Sequence, residues 1–288
     1  MASGLRSSSI ATSGTRMILT FLQALALAAA APLPPTGTIN LAQSDDRVYV
    51  MMRIGQDEIV PMIFDTGSDG HSIDRSLVAR HRLRTVGTTI EIDGSTQKRR
   101  SLRTVAIPDV ALGGMRVGTI RAVALDYDRD DAMGIISSEM FAGRLLMIDL
   151  AHNRATLLDK ATAALPTSPA TAYHGALPAT LLTLPDGTTL PAELDSGYNA
   201  PLSLPVAMLG RVRLAAPAKV VGRFHSINSD GDVMGGRIEG PVKIGPITLD
   251  SPDVVFLGDV ANVGLPVIRR GRLLLDSANH RSWFLANP

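Results

Sequence analysis

The stretch Met62-Ile63-Phe64-Asp65-Thr66-Gly67-Ser68 runs apolar residues straight into a carboxylate and a glycine turn. It recurs as Ala192-Glu193-Leu194-Asp195-Ser196-Gly197-Tyr198, at an offset of 195 − 65 = 130. An aspartate in a turn ordinarily bonds its own backbone and does nothing more. Here Asp65 emerges from a desolvating strand, Gly67 lets backbone N–H groups come close, and the whole device occurs twice. Two such carboxylates brought together cannot both ionise and would share one proton.

Outward from the two motifs, the flanks repeat as well. Pro61 and Pro191 keep the offset of 130, Gly113 and Gly245 stand 132 apart, and Asp149 and Asp276 stand 127 apart. Arg154 and Arg281 share that last offset, in segments that read alike. Offsets that drift by a few residues describe two copies of one unit with altered loops. Val48–Ile54 and Glu58–Phe64 read as a hairpin leading to the first motif, and Thr180–Leu184 and Leu190–Leu194 as its counterpart. Thr88–Ile92 and Ser101–Val105 make a hairpin turning at Asp93-Gly94, Val110–Gly114 and Ile120–Leu125 two more strands, and Leu145–Asp149 with Ala155–Leu158 a closing pair. The segment through Ser72 to Arg82 has room for a short helix, and His71 and His81 are read as surface histidines on it.

The expected organisation is a signal peptide over 1–31, a linker over 32–46, one lobe over 47–160, a connection over 161–176 and a second lobe over 177–288. Arg6 and Arg16 precede an Ala- and Leu-dominated run from Met17 to Ala31, followed by Pro32. That run is short for a membrane span, so export to the periplasm or medium is expected, with Met17 a possible start and an uncleaved anchor the alternative.

Composition narrows the chemistry. With no cysteine there is no disulfide, thiolate nucleophile or cysteine metal site. A net charge of +1 and 4% aromatic residues give nothing to hold nucleic acid. Asp126, Asp128, Asp130 and Asp131 begin like a calcium loop, but Asp131 and Ser137 stand where its glycine and glutamate belong. The histidines have no metal-site spacing, and no G-x-S-x-G elbow is present. No cofactor and no metal are expected.

The doubled D-[TS]-G resembles the aspartic peptidases of the retropepsin and pepsin group, and is similar to bacterial exported proteins with two tandem retropepsin-like lobes. The resemblance covers Val48 to Leu158 and Leu177 to Leu285. It implies an all-β, bilobal acid-protease fold with a cleft between closed-sheet lobes. It makes Asp65 and Asp195 catalytic, with Thr66, Gly67, Ser68, Ser196 and Gly197 supporting them. It assigns Ile135-Ile136-Ser137 and Asn262-Val263-Gly264 to the segments beneath the motifs. It places flaps at Asp93-Gly94 and Asp230-Gly231, so Asp93, Gly94, His225 and Tyr198 are expected near substrate. Ser137 stands for a glycine, and Tyr198 for a small or hydroxyl residue. The implied activity is endoproteolysis of an extended peptide by a monomer, and the alternative is a peptide-binding pseudoprotease of the same fold.

Overall fold

The computed structural model describes residues 36–55, 58–92, 99–127, 131–225 and 230–288. The proposed signal segment, Asp93-Gly94, Asp128 and Asp130 lie outside them.

The chain is almost entirely strand. Its first part contains β1 (Gly37–Gln43), β2 (Val48–Ile54), β3 (Glu58–Asp65), β4 (Ser72–Asp74), β5 (Arg84–Ile92), β6 (Arg99–Leu112), β7 (Met115–Leu125), β8 (Gly134–Ser137), β9 (Leu145–Asp149) and β10 (Arg154–Leu158). A short helix, α1 (Arg75–Arg80), is capped by the Asp74 carboxylate, which accepts from Ser76 N–H. Six strands close a barrel in the order β2-β3-β8-β4-β7-β6, with β6 returning to β2. In β2, Val48, Val50, Met52 and Ile54 face its core while Met51 faces out. In β3 that alternation ends, and Met62, Ile63 and Phe64 are all buried where they deliver Asp65.

The circuit then repeats. After β11 (Thr171–Ala172) come β12 (Ala179–Thr183), β13 (Thr189–Asp195), β14 (Leu202–Leu204), β15 (Lys219–His225), β16 (Asp230–Arg237), β17 (Pro241–Ile244), β18 (Ile247–Asp250), β19 (Asp253–Phe256), β20 (Ala261–Gly264), β21 (Gly271–Asp276) and β22 (Arg281–Ala286). The order β12-β13-β20-β14-β19-β16 matches that of the first barrel. Long β6 and β7 are each matched by two short strands, β16 with β17 and β18 with β19. Bonds from Ile238 N–H to Pro252 O (2.9 Å) and from Ser251 N–H to Gly240 O (3.2 Å) hold the broken strands abreast. Gly113 and Gly245, paired by the sequence offset, both turn these hairpins at left-handed φ of 51° and 52°. At Gly113 a side chain is also excluded by space, since a Cβ would stand 2.3 Å from Asn40 O.

Strands from both parts form one six-stranded sheet, β11-β22-β21-β9-β10-β1. At its centre β9 lies antiparallel to β21, with Met147 opposite Leu274. Those residues are 274 − 147 = 127 apart, the offset of the repeat, so equivalent residues meet there about a local two-fold. Leu33–Pro288 behaves as one compact unit.

One sequence reading needs correction. Residues 37–43, read as linker, form β1, which pairs with β10 on one side and β2 on the other and buries Ile39 and Leu41. The terminal turns over 151–154 and 278–281 match at the same offset of 127, which sets His152 against Asn279 and Asn153 against His280. Asn153 and His280 share the left-handed conformation (φ 52° and 49°), while His152 and Asn279 each bond the buried aspartate three residues earlier. The expected connection over 161–176 is largely irregular, with Ser168 O accepting from the Trp283 indole N–H at 3.0 Å.

If β1 belongs to the core, Ile39→Ala lowers unfolding free energy by about 2–4 kcal/mol in urea denaturation. A loss within about 0.5 kcal/mol, typical of an exposed linker residue, would restore the linker reading.

Candidate active site

Strands β3 and β13 end opposite each other. Thr66 and Ser196 are the buried residues at the join, each almost without solvent exposure (0% and 2%). Thr66 Oγ1 donates to Leu194 O at 2.6 Å, and Ser196 Oγ donates to Phe64 O at 2.8 Å. In return Ser196 N–H donates to Thr66 Oγ1 and Thr66 N–H to Ser196 Oγ, both at 3.0 Å. Each hydroxyl is thus used as donor and acceptor across the join, which satisfies buried backbone groups of both loops.

The two carboxyls meet above this lock. Gly67 N–H donates to Asp65 Oδ1 and Gly197 N–H to Asp195 Oδ1, each at 2.8 Å. A Cβ on Gly67 would stand 2.2 Å from Asp195 Cγ, and one on Gly197 2.7 Å from Asp65 Cγ. Neither glycine has left-handed φ. Each glycine clears room for the opposite carboxyl, whereas the sequence suggests conformational freedom as its use. Burial first, then the charge and hydrogen bond of Asp195, push Asp65 up to about 7 against the lowering effect of the Gly67 and Gly197 amides.

Under each motif runs a parallel strand, with Asp65 beside Ser137 on β8 and Asp195 beside Gly264 on β20. Gly264 is obligatory, because a Cβ would stand 2.0 Å from Ala200 O. The first copy accommodates Ser137, whose Oγ donates to Ser68 O at 2.6 Å. His71 completes that accommodation. Gly264 N–H donates to Pro201 O, whereas Ser137 N–H donates to the Nδ1 of His71, 130 residues before Pro201, at 3.0 Å. The imidazole must be neutral to accept, and burial lowers His71 to about 4.

Tyr198 finds its partner within its own half. Its hydroxyl is hydrogen-bonded to Ser203, and burial leads the upward shift of its phenol. In the first half Ser72, 131 residues before Ser203, bonds the hydroxyl of Tyr127 at 2.7 Å. Each half thus sets a tyrosine on the serine of its short strand, from different places in the sequence. Ser68, the residue matching Tyr198, gives its hydroxyl to Gly70 O. On the second side the outer oxygen of Asp195 accepts instead from Asn262 Nδ2 at 2.8 Å.

A hollow of about 490 Å³ adjoins the first motif, lined by Gly70, His71, Ile90, Leu102, Val123 and Leu125 among others. A second, about 510 Å³, lies in the second half beside Ala200, Pro201, Leu202, Val221 and Gly235. The β5–β6 and β15–β16 hairpins wall them. Of the flap residues, His225 ends β15 opposite Asp230 on β16. His81 terminates α1 away from the motifs and pairs with Glu58.

Loss of the cross-loop lock has a defined cost. Thr66→Val removes one donor and one acceptor from buried partners and lowers stability by about 2–4 kcal/mol in urea titration. A change under about 0.5 kcal/mol would mean the loops are held by other contacts. His71 adds a pH signature. Its folded value lies below the usual 6.5, so the unfolded chain binds the extra proton and stability falls as pH drops from about 6.5 towards 4. In His71→Asn that part of the slope disappears from thermal melts taken across this window.

No curated protein matches the chain. Residues 50–140, from β2 through the segment after β8, match the family model described as aspartyl protease. The matched stretch contains Asp65, Thr66 and Gly67, and the second motif lies beyond it. Over this stretch the chain is similar to an aspartic peptidase family, of retropepsin-like type.

Proposed function

We propose that the protein is an aspartic endopeptidase in which Asp65 and Asp195 act as one acid–base pair, set between retropepsin-like lobes over 47–160 and 177–288. The observation that carries this reading is the mutual approach of the two carboxyls, each seated where the opposite glycine lacks a side chain. Desolvation and the facing charge favour a single proton on the pair. The ionised member takes a proton from water as the oxygen attacks the peptide carbonyl. The protonated member donates to the carbonyl oxygen, giving a tetrahedral diol without a covalent intermediate. Collapse returns a proton to the leaving nitrogen.

The two hollows support an extended peptide lying across the pair, with apolar side chains on both sides of the scissile bond. Strand-like bonding to the flanking hairpins would supply affinity independent of side chains. The features that suggest a pseudoprotease, Tyr198 and Ser137, each have a partner that leaves the carboxyl pair together. Export follows from the apolar run after Arg16, and the mature chain would begin near residue 32, which N-terminal sequencing of the exported protein reads directly.

The test is cleavage of an unbiased peptide library by the full chain, read by mass spectrometry from acidic to neutral pH. Asp65→Asn and Asp195→Asn each reduce kcat/KM by at least about a thousandfold, while both variants stay folded. Wild-type activity falls as pH rises through about 7, where Asp65 loses its proton. The raised folded value also means that stability favours acid: it is complete below the usual carboxyl range and declines as pH rises to about 7. Asp65→Asn therefore melts at the same or higher temperature than wild type at pH 8. Hydrolysis unchanged in either variant would reject the mechanism, and extended peptides bound without turnover would favour the pseudoprotease.

A further inference from the structure

The two halves treat their aspartates unequally. Parallel registers place Ile135 of β8 beside Ile63 and Asn262 of β20 beside Glu193, each two residues before the aspartate's own pairing. Ile135 and Asn262 are therefore matching positions, and only the second carries a donor. Asn262 Nδ2 reaches Asp195 Oδ2 at 2.8 Å, while Gly197 N–H holds Oδ1. Asp195 thus has a side-chain donor on the oxygen its backbone bond leaves free. Asp65 has its Gly67 amide and the nearby Gly197 amide.

Asn262 gives up something for this contact. Its Oδ1 is buried and has no hydrogen-bond partner among the described residues. Such an orphan is costly, and packing does not demand it, since isoleucine fills the matching place in the first half. An amide N–H pointed at a carboxylate stabilises the charged form over the neutral one. Among the described residues, Asp65 across the join and Tyr198 three residues on face Asp195, and neither is a cation.

We propose that Asn262 is a positioning residue that holds Asp195 as the ionised member of the pair and so leaves the shared proton on Asp65. The catalytic consequence rests on the peptidase reading: Asp195 is then the base towards water and Asp65 the acid towards the carbonyl. The placement of the proton is a property of the folded chain with or without turnover.

The experiment is a pH titration of the Asp65 and Asp195 carboxyl carbons by NMR, on the full chain and on Asn262→Ile and Asn262→Asp. The first variant installs the side chain of the matching position, and the second keeps the shape while replacing the amide donor by a third carboxyl, whose charge further opposes ionisation of Asp195. In wild type the proton is expected to be taken up first at Asp65. In both variants the Asp195 signal begins to titrate at higher pH, by about one pH unit for the loss of one charge-assisted bond. The acid limb of kcat/KM moves the same way, with kcat reduced about tenfold or more and KM little changed. Unchanged carbon titrations in a folded variant overturn the proposal, even where kcat falls, because a residue that only packs would leave the titrations where they are. If wild type cleaves nothing, the carbon titrations still decide Asn262, and the peptidase reading alone fails.

Discussion

Everything at the site depends on the reciprocal bonding of Thr66 and Ser196. A hydroxyl from each loop accepts from the opposite amide and donates to the opposite carbonyl, out of contact with water. Four bonds in low dielectric fix two strand ends that come from distant parts of the chain. With the ends fixed, the carboxyls one residue earlier are held facing each other, and burial with the facing charge raises the proton affinity of Asp65. The glycines one residue later are then required by geometry, since any Cβ would occupy the facing carboxyl.

The same local two-fold organises the framework. It relates Met147 to Leu274 across the central sheet and Thr66 to Ser196 across the join. Departures from the symmetry fall around the carboxyls. His71 replaces a backbone carbonyl as the acceptor for Ser137, Tyr127 and Tyr198 reach equivalent serines from unlike positions, and Asn262 faces Asp195 where the first half has Ile135. A symmetric pair of carboxyls has no preferred seat for one proton. The asymmetry of the surrounding donors is what can give it one.

The barrels were legible in the sequence wherever structure is local. The hairpin into Asp65 and its copy into Asp195 show strand alternation and turn residues, and the repeat offsets tied the two together. The segment over 37–43 was misread because only Ile39 and Leu41 mark it as strand, and its partners are near residue 155 and residue 50. Non-local pairing leaves little trace in composition. The same holds for Asn262 and His71. Their types are ordinary, and their roles are set by pairings between distant strands, parallel β13–β20 for Asn262 and antiparallel β4–β8 for His71, which no neighbouring residue encodes. Tyr198 looked like an intrusion on the second carboxyl because its partner, Ser203, is identified only when β14 lies beside β20. The glycines of both motifs were found for their flexibility, although the fold uses them for their lack of volume.

Neutron diffraction from crystals exchanged into heavy water at about pH 5, between the ordinary carboxyl range and the raised value of Asp65, tests the account most directly. The account predicts one deuterium on the facing carboxyls, bound to Asp65 and directed at Asp195, with Asn262 donating to a bare Asp195 Oδ2. Two deuteriums on the pair, none, or carboxyls standing beyond hydrogen-bonding reach would contradict it.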